Sequence, residues 1–253
     1  VEVGIRKKLA TAFKIFKQKG LVGLWHTIRQ KVLALTCTNE NEIVFEILQD
    51  SATTGVMCDV GAHYGYCLIP FAKAGWRVFA FEPDPENRLQ LLDNTRMYPS
   101  VQVDGRAVSY KVEESIPFFT SKESSGVGSL SAFLPSHEQA YTVSTTTLDV
   151  FFLEQGLEVV DYLKIDTEGF DLMVLKGVGW EKIKPRVILC EFEDAKTQKL
   201  GYSYTTMADY LVGKGYHVLV SEWRPIVNMV SSIPGGVTLP IHINYMTIKP
   251  GAT

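Results

Sequence analysis

The sequence predicts an α/β fold, a mostly parallel sheet of seven strands with helices on both faces, preceded by N-terminal accessory helices. Three observations predict it. Short apolar runs bounded by turn residues alternate with stretches of helical periodicity, the rhythm of βαβ units. Two of those runs end in an acid, Asp59 ahead of the turn Gly61-Ala62-His63-Tyr64-Gly65 and Glu82 ahead of Pro83. A chain of 253 residues with 46% hydrophobic content can also bury one full core without a second globular domain.

The elements follow in order. Residues 1–36 carry eight Lys and Arg against Glu2 alone, whereas the remainder carries 17 basic and 27 acidic residues. Ile5, Leu9, Phe13 and Phe16 recur at helical spacing beside Arg6, Lys7, Lys8, Lys14 and Lys17, so this segment reads as a basic amphipathic helix. Such a helix can lie on an anionic membrane surface, dock a partner or pack its apolar stripe on the domain. The expected organisation is a basic helical arm over 1–50 and an α/β domain over 51–253. Residues 41–49 read as helical, 56–60 as strand one, 64–75 as a helix and 77–81 as strand two. Asp84-Pro85-Glu86 supplies an N-cap and a proline at the first helical position for a helix reaching Met97. Strand three spans 101–107. Residues 109–119 read as extended, and 120–139, rich in Ser and Gly, as a long loop of the kind that closes over a ligand. The alternation resumes with a helix over 147–155 with Thr146 or Thr147 near its cap, strand four over 159–165, a helix over 169–176, strand five over 186–190, a helix over 205–213, and two last strands over 216–220 and 243–248.

Composition excludes several classes. No run of about 18 apolar residues is present to span a membrane as a helix. Cys37, Cys58, Cys67 and Cys190 have no metal-ligand spacing, and no signal-peptide pattern is visible, so the expected compartment is the reducing cytoplasm. Nucleic acid is not expected as a partner, because the chain beyond the arm is acidic and has no basic patch interleaved with aromatics.

The first turn carries the chemistry. Gly61 and Gly65 let a ligand approach the backbone, and a helix beginning near Tyr64 would aim its free N–H groups at it. A dinucleotide turn reads G-x-G-x-x-G and holds a pyrophosphate. Here the spacing is Gly61-x-x-x-Gly65 with Asp59 alongside. A carboxylate there repels a pyrophosphate but attracts an ammonium and a nearby sulfonium, both of which S-adenosylmethionine carries. Glu82 follows Gly61 by 21 residues, close to the roughly 20 at which an acid meets ribose hydroxyls. Two alternatives from other classes stay open, an NAD-dependent oxidoreductase and a non-catalytic Rossmann-like binding module.

Taken as a set, Asp59-Val60-Gly61-Ala62-His63-Tyr64-Gly65, Phe81-Glu82-Pro83, Ser125-Gly126-Val127-Gly128-Ser129-Leu130, Thr146-Thr147-Leu148-Asp149 and Leu163-Lys164-Ile165-Asp166-Thr167-Glu168-Gly169-Phe170 resemble the FkbM family of S-adenosylmethionine-dependent methyltransferases, over about residues 55–192. The resemblance implies the Rossmann-like class I methyltransferase fold, whose last strand is antiparallel and slots beside strand five. It also implies O-methylation of a sugar or natural-product hydroxyl. By position, Asp59, Gly61, Ala62 and Gly65 would line the methionine end, Glu82 with Pro83 would hold the ribose, and Asp104, Arg106 and Ala107 would flank the adenine. Ser129 would be a further cofactor contact. His63 and Tyr64 depart from the family's usual Asn and apolar residue, which makes His63 a catalytic candidate.

A sugar hydroxyl is a poor nucleophile, so the reaction calls for a general base or a metal. Two readings compete for the acids at the ends of strands four and five. In one, Asp166 is the base and Glu168 orients it or the acceptor. In the other, Asp166 and Glu191 hold Mg²⁺, since oxygen-only ligands favour a hard cation.

Overall fold

The computed structural model describes residues 40–49, 54–121, 124–225 and 242–248. The basic segment 1–36 and Cys37 lie outside them. The described chain divides into two compact units, Glu40–His217 and the described part of 218–253.

The first unit is built on five parallel strands, β1 (Val56–Val60), β2 (Arg77–Phe81), β3 (Val101–Asp104), β9 (Tyr162–Ile165) and β10 (Val187–Cys190), in the order β10-β9-β1-β2-β3. β1 lies between β9 and β2, with Asp59 opposite Lys164 on one side and Ala80 on the other. Strands buried on both faces read as continuous apolar runs, and β1, β2 and β9 are buried along almost their whole length. Met57, Val78, Ala80 and Tyr162 form one core with Val44 and Leu48 of α1 (Glu40–Gln49), Phe71 of α2 (Ile69–Lys73) and Leu91 of α3 (Pro85–Thr95). Phe71 anchors it, with its ring 5.1 Å from that of Trp76 and 5.2 Å from that of Tyr162. On β2, Phe79 and Phe81 meet Phe151 of α4 (Leu148–Glu154) at 5.3 and 4.6 Å. Each such buried side chain stabilises the fold by about 1.5–3 kcal/mol.

Caps fall where the sequence puts them. Asp84 accepts from Glu86 N and Asn87 N with Pro85 in the first helical turn, and Thr147 accepts from Val150 N. α3 ends at Thr95 rather than Met97. The helix expected over 64–75 is shorter. Gly65 has φ +78 and His63 φ +50, so residues 63–68 form turns, and α2 begins only at Ile69.

The largest difference lies in the middle. The segment read as extended chain and a long loop contains β5 (Ile116–Ser121), β6 (Ser124–Ser129) and β7 (Glu138–Val143), an antiparallel sheet in the order β6-β5-β7. Ser and Gly weaken strand propensity, but Phe118 of β5 and Val143 of β7 bury themselves against Ala107, and tertiary packing overrides propensity. A short parallel pair, β4 (Ala107–Val108) and β8 (Thr145–Thr146), accompanies it. After β9 come α5 (Asp171–Lys176), then β10, α6 (Asp194–Thr197) and α7 (Tyr204–Gly213). In the second unit β11 (Leu219–Pro225) and β12 (His242–Ile248) pair antiparallel, Leu219 opposite Ile248 and Pro225 opposite His242.

Candidate functional site

The chain order of the parallel strands reverses between β1 and β9, and an open α/β sheet leaves its ligand crevice at the carboxyl ends of the strands on either side of such a reversal. A cavity of about 250 Å³ lies there. Val60 and Gly61 line it from β1, Phe81, Glu82 and Pro83 from β2, and Asp166, Thr167 and Glu168 from β9.

Gly61 sets the floor. Its φ is +80, and a Cβ there would run into the carbonyl oxygen of Asp166. The backbone donors of Gly61, Ala62 and His63 are spent inside the protein. Gly61 N and Ala62 N both bond Phe81 O, at 3.1 and 3.0 Å, and His63 N bonds Glu82 Oε2 at 2.7 Å. The helix N-terminus expected near Tyr64 is therefore not a donor array at the cavity, because α2 starts five residues later.

Glu82 is 5% exposed and accepts one bond at each oxygen, from His63 N and from Asp84 N at 2.9 Å. Burial pushes its carboxyl up to about 7, against the pull of those two donors. Each oxygen keeps a lone pair, and the residue lines the cavity.

Asp59 has a different neighbour from the one expected. It is fully buried in β1, outside the cavity lining, with the Lys164 ammonium 3.2 Å from Oδ1. The same ammonium lies 3.2 Å from Asp166 Oδ2. Lys164 thus bridges the two acids along one face of the β1–β9 pair. Burial pushes this lysine down, but Asp59 and Asp166 outweigh it and hold it well above its ordinary value. Burial likewise pushes the Asp59 carboxyl up, and Lys164 draws it back.

Asp166 faces the cavity with its side chain 39% exposed. Glu168, at φ +55, and His63 are the two non-glycine residues with positive φ among the described residues, and both line the cavity. Such conformations cost about 1–3 kcal/mol each and gather at functional sites. The His63 ring stacks on Tyr64 at 3.7 Å, and both meet Ser125 Oγ, at 3.2 Å from Nε2 and 3.0 Å from the phenol. Burial pushes the imidazole below its ordinary value. Asn87 Nδ2 donates to Ser125 O at 2.9 Å, so β6 forms a strap tied to the first turn and to α3.

The remaining candidates divide cleanly. Ala107 and Ser129 line the cavity. Ala62, Gly65, Asp104, Arg106 and Glu191 do not; Arg106 is held between Asp104 and Glu154, each at 2.7 Å. Ser129 Oγ lies within reach of Thr167 O and Glu168 O, at 3.2 and 3.3 Å. One oxygen each of Asp166, Glu168 and Glu191 lie within 4.8 Å of one another. The sequence reading missed Lys164, although a lysine inside an apolar strand buried on both faces is itself a signal. It also missed Asn87, Val108 and Phe118 as cavity walls.

The model of the methyltransferase FkbM domain matches residues 59–218, well over half of the chain. The chain belongs to the FkbM methyltransferase family. The resemblance carried by the motifs is thereby borne out, over a stretch reaching past α7. This FkbM-family chain is 28% identical over 140 residues to the hexuronic acid methyltransferase AglP of Haloferax volcanii, covering 55% of this chain and 56% of AglP. It therefore spans just over half the length of that relative. Solved structures similar to it include precorrin-6Y C5,15-methyltransferase from Geobacter metallireducens GS-15, at 14% identity and a TM-score of 0.40, with 74% of this chain and 75% of that one covered. The C-terminal domain of the Rhodobacter capsulatus enzyme of the same name matches at 13% identity and a TM-score of 0.36, with 70% and 72% covered. Among the described residues no helix is long and apolar enough to cross a membrane.

Proposed function

We propose that this chain is an S-adenosylmethionine-dependent O-methyltransferase acting on a hydroxyl of a sugar or glycosylated natural product. One observation carries the reading: the Gly61 turn, the Glu82 carboxylate and the Asp166 carboxylate meet in a single cavity at the reversal point of the sheet. In this reading Glu82 takes the ribose hydroxyls, Phe81, Ala107, Val108 and Phe118 flank the purine, and Gly61 admits the methionine end. The cofactor supplies an activated methyl group on sulfur. Asp166 would take the proton of the acceptor hydroxyl, leaving that oxygen to receive the methyl group that the bound cofactor would supply. Asp59 serves this site at one remove, through Lys164, and His63 holds the strap at Ser125.

The AglP relative acts on a hexuronic acid, which supports a sugar acceptor. A class I methyltransferase sheet of seven strands belongs to the same proposal. Thermal shift with S-adenosylmethionine, S-adenosylhomocysteine and NAD tests it, followed by transfer of labelled methyl to fractionated cell glycans. Stabilisation by the two sulfur nucleotides and alkali-stable label on glycan are expected. Stabilisation by NAD alone would sink the reading in favour of an oxidoreductase.

A further inference from the structure

At the edge of the cavity Glu168, Glu191 and Glu193 converge on a single ammonium. Lys196 Nζ lies 2.6 Å from Glu168 Oε2, 3.2 Å from Glu191 Oε2 and 3.1 Å from Glu193 Oε2. The Lys196 and Glu168 side chains are only 12% and 14% exposed. Two of those acids, with Asp166, are the set whose oxygens approach one another closely enough to share a cation. By charge and donor type the set suits a hard divalent ion, which takes oxygen ligands and gives up its water reluctantly.

The chain already places a cation there, and its stem is packed. A Cβ built on Gly169 would lie 2.8 Å from Lys196 Cβ, and the ammonium stands 5.8 Å from the centre of the Phe133 ring. Moving Lys196 aside for a metal would strip Glu193 of its partner and leave an ammonium without a counter-ion at a half-closed surface.

We propose that Lys196 is the built-in cation of this acid cluster, and that Mg²⁺ does not fit beside it. The chemical meaning rests on the methyltransferase reading: Lys196 neutralises Glu168 and Glu191, leaving Asp166 as the carboxylate that faces the acceptor, and turnover needs no divalent ion. Lys196 is a positioning residue, because it acts through its acids.

The test titrates the full chain with Mn²⁺, reading free ion by electron paramagnetic resonance, for the wild type, Lys196→Met, Lys196→Arg and Glu191→Gln. The wild type and Lys196→Arg are expected to bind no Mn²⁺ up to about 1 mM, the affinity of weak carboxylate sites. Lys196→Met is expected to gain a site at least about tenfold tighter, because three uncompensated carboxylates then face one another. Stoichiometric binding by the wild type that Glu191→Gln abolishes overturns the proposal, as does a folded Lys196→Met protein that gains no site. Should Lys196→Met fail to fold, the wild type and Glu191→Gln decide alone. Thermal shift with S-adenosylhomocysteine on the same samples separates the two ideas: no shift defeats the methyltransferase reading and leaves the Mn²⁺ comparison standing.

Discussion

Two lysines each hold more than one carboxylate near the same strand ends, in opposite settings. Lys164 lies within β9, 6% exposed, between a fully buried Asp59 and the cavity-facing Asp166. Lys196 lies on the one-turn α6 and reaches acids that are up to 56% exposed. Sheet register fixes the first pair, since Asp59 and Lys164 are direct neighbours across β1 and β9. The second is assembled from the ends of β9 and β10. The difference teaches that the same ion-pair chemistry can act as a strut or as a filler. Removing the buried cation leaves Asp59 with no compensation, whereas removing the rim cation leaves Glu168 buried but Glu191 and Glu193 within reach of water.

The largest effect should come from the strut. Lys164→Met is expected to lose about 3–5 kcal/mol of stability in chemical denaturation, and the double variant with Asp59→Asn to recover most of it. A single-variant loss under about 1 kcal/mol would erase the contrast between the two lysines. Next comes cofactor affinity. Glu82→Gln is expected to weaken S-adenosylhomocysteine by about 10- to 100-fold in calorimetry, the worth of a charge-assisted bond. Since burial holds the Glu82 carboxyl at about 7, wild-type affinity should rise as pH passes upward through 7, and the variant should show a flat profile.

A third test reads stability against pH. Asp171 is 1% exposed and pushed up to about 7 by burial, opposed by the bonds from Thr167. Its folded value exceeds the unfolded one, so the folded protein keeps a proton that the unfolded chain releases. Its contribution is complete below about 4, falls as pH rises and is gone above about 7, so Asp171→Asn should flatten that slope. The smallest effect belongs to the filler: Lys196→Met should cost clearly less stability than Lys164→Met, because Glu191 and Glu193 stay open to water, while changing Mn²⁺ binding.

Much of this was legible in the residues. Apolar runs without alternation, ended by Asp59, Glu82 and Asp166, announce parallel strands with their acids at one edge, and Asp84-Pro85 and Thr147 announce helix starts. Periodicity could not show which way an acid points. Asp59, one residue before β1 ends, turns toward Lys164, because a strand sends neighbouring side chains to opposite faces and register supplied a cation there. Arg106 likewise is held between Asp104 and Glu154 and does not line the cavity. Of the antiparallel strands, the extended reading of 109–119 caught the start of β5, β6 escaped notice because its Gly and Ser composition mimics a loop, and the long-range pairing of β7 leaves no local signature.

The contact between Gly61 and the Asp166 carbonyl also bears on how such a protein can be retooled. In the proposed reaction it joins the methyl-donor end of the cavity to the strand carrying Asp166 through main chain alone, without any side chain that could be exchanged. On that reading the spacing between methyl source and base is a dimension of the scaffold. Walls contributed by Ser125 and Gly126 of the strap stand apart from that junction. New acceptors are best sought by varying those walls, with the transfer distance left as a constant.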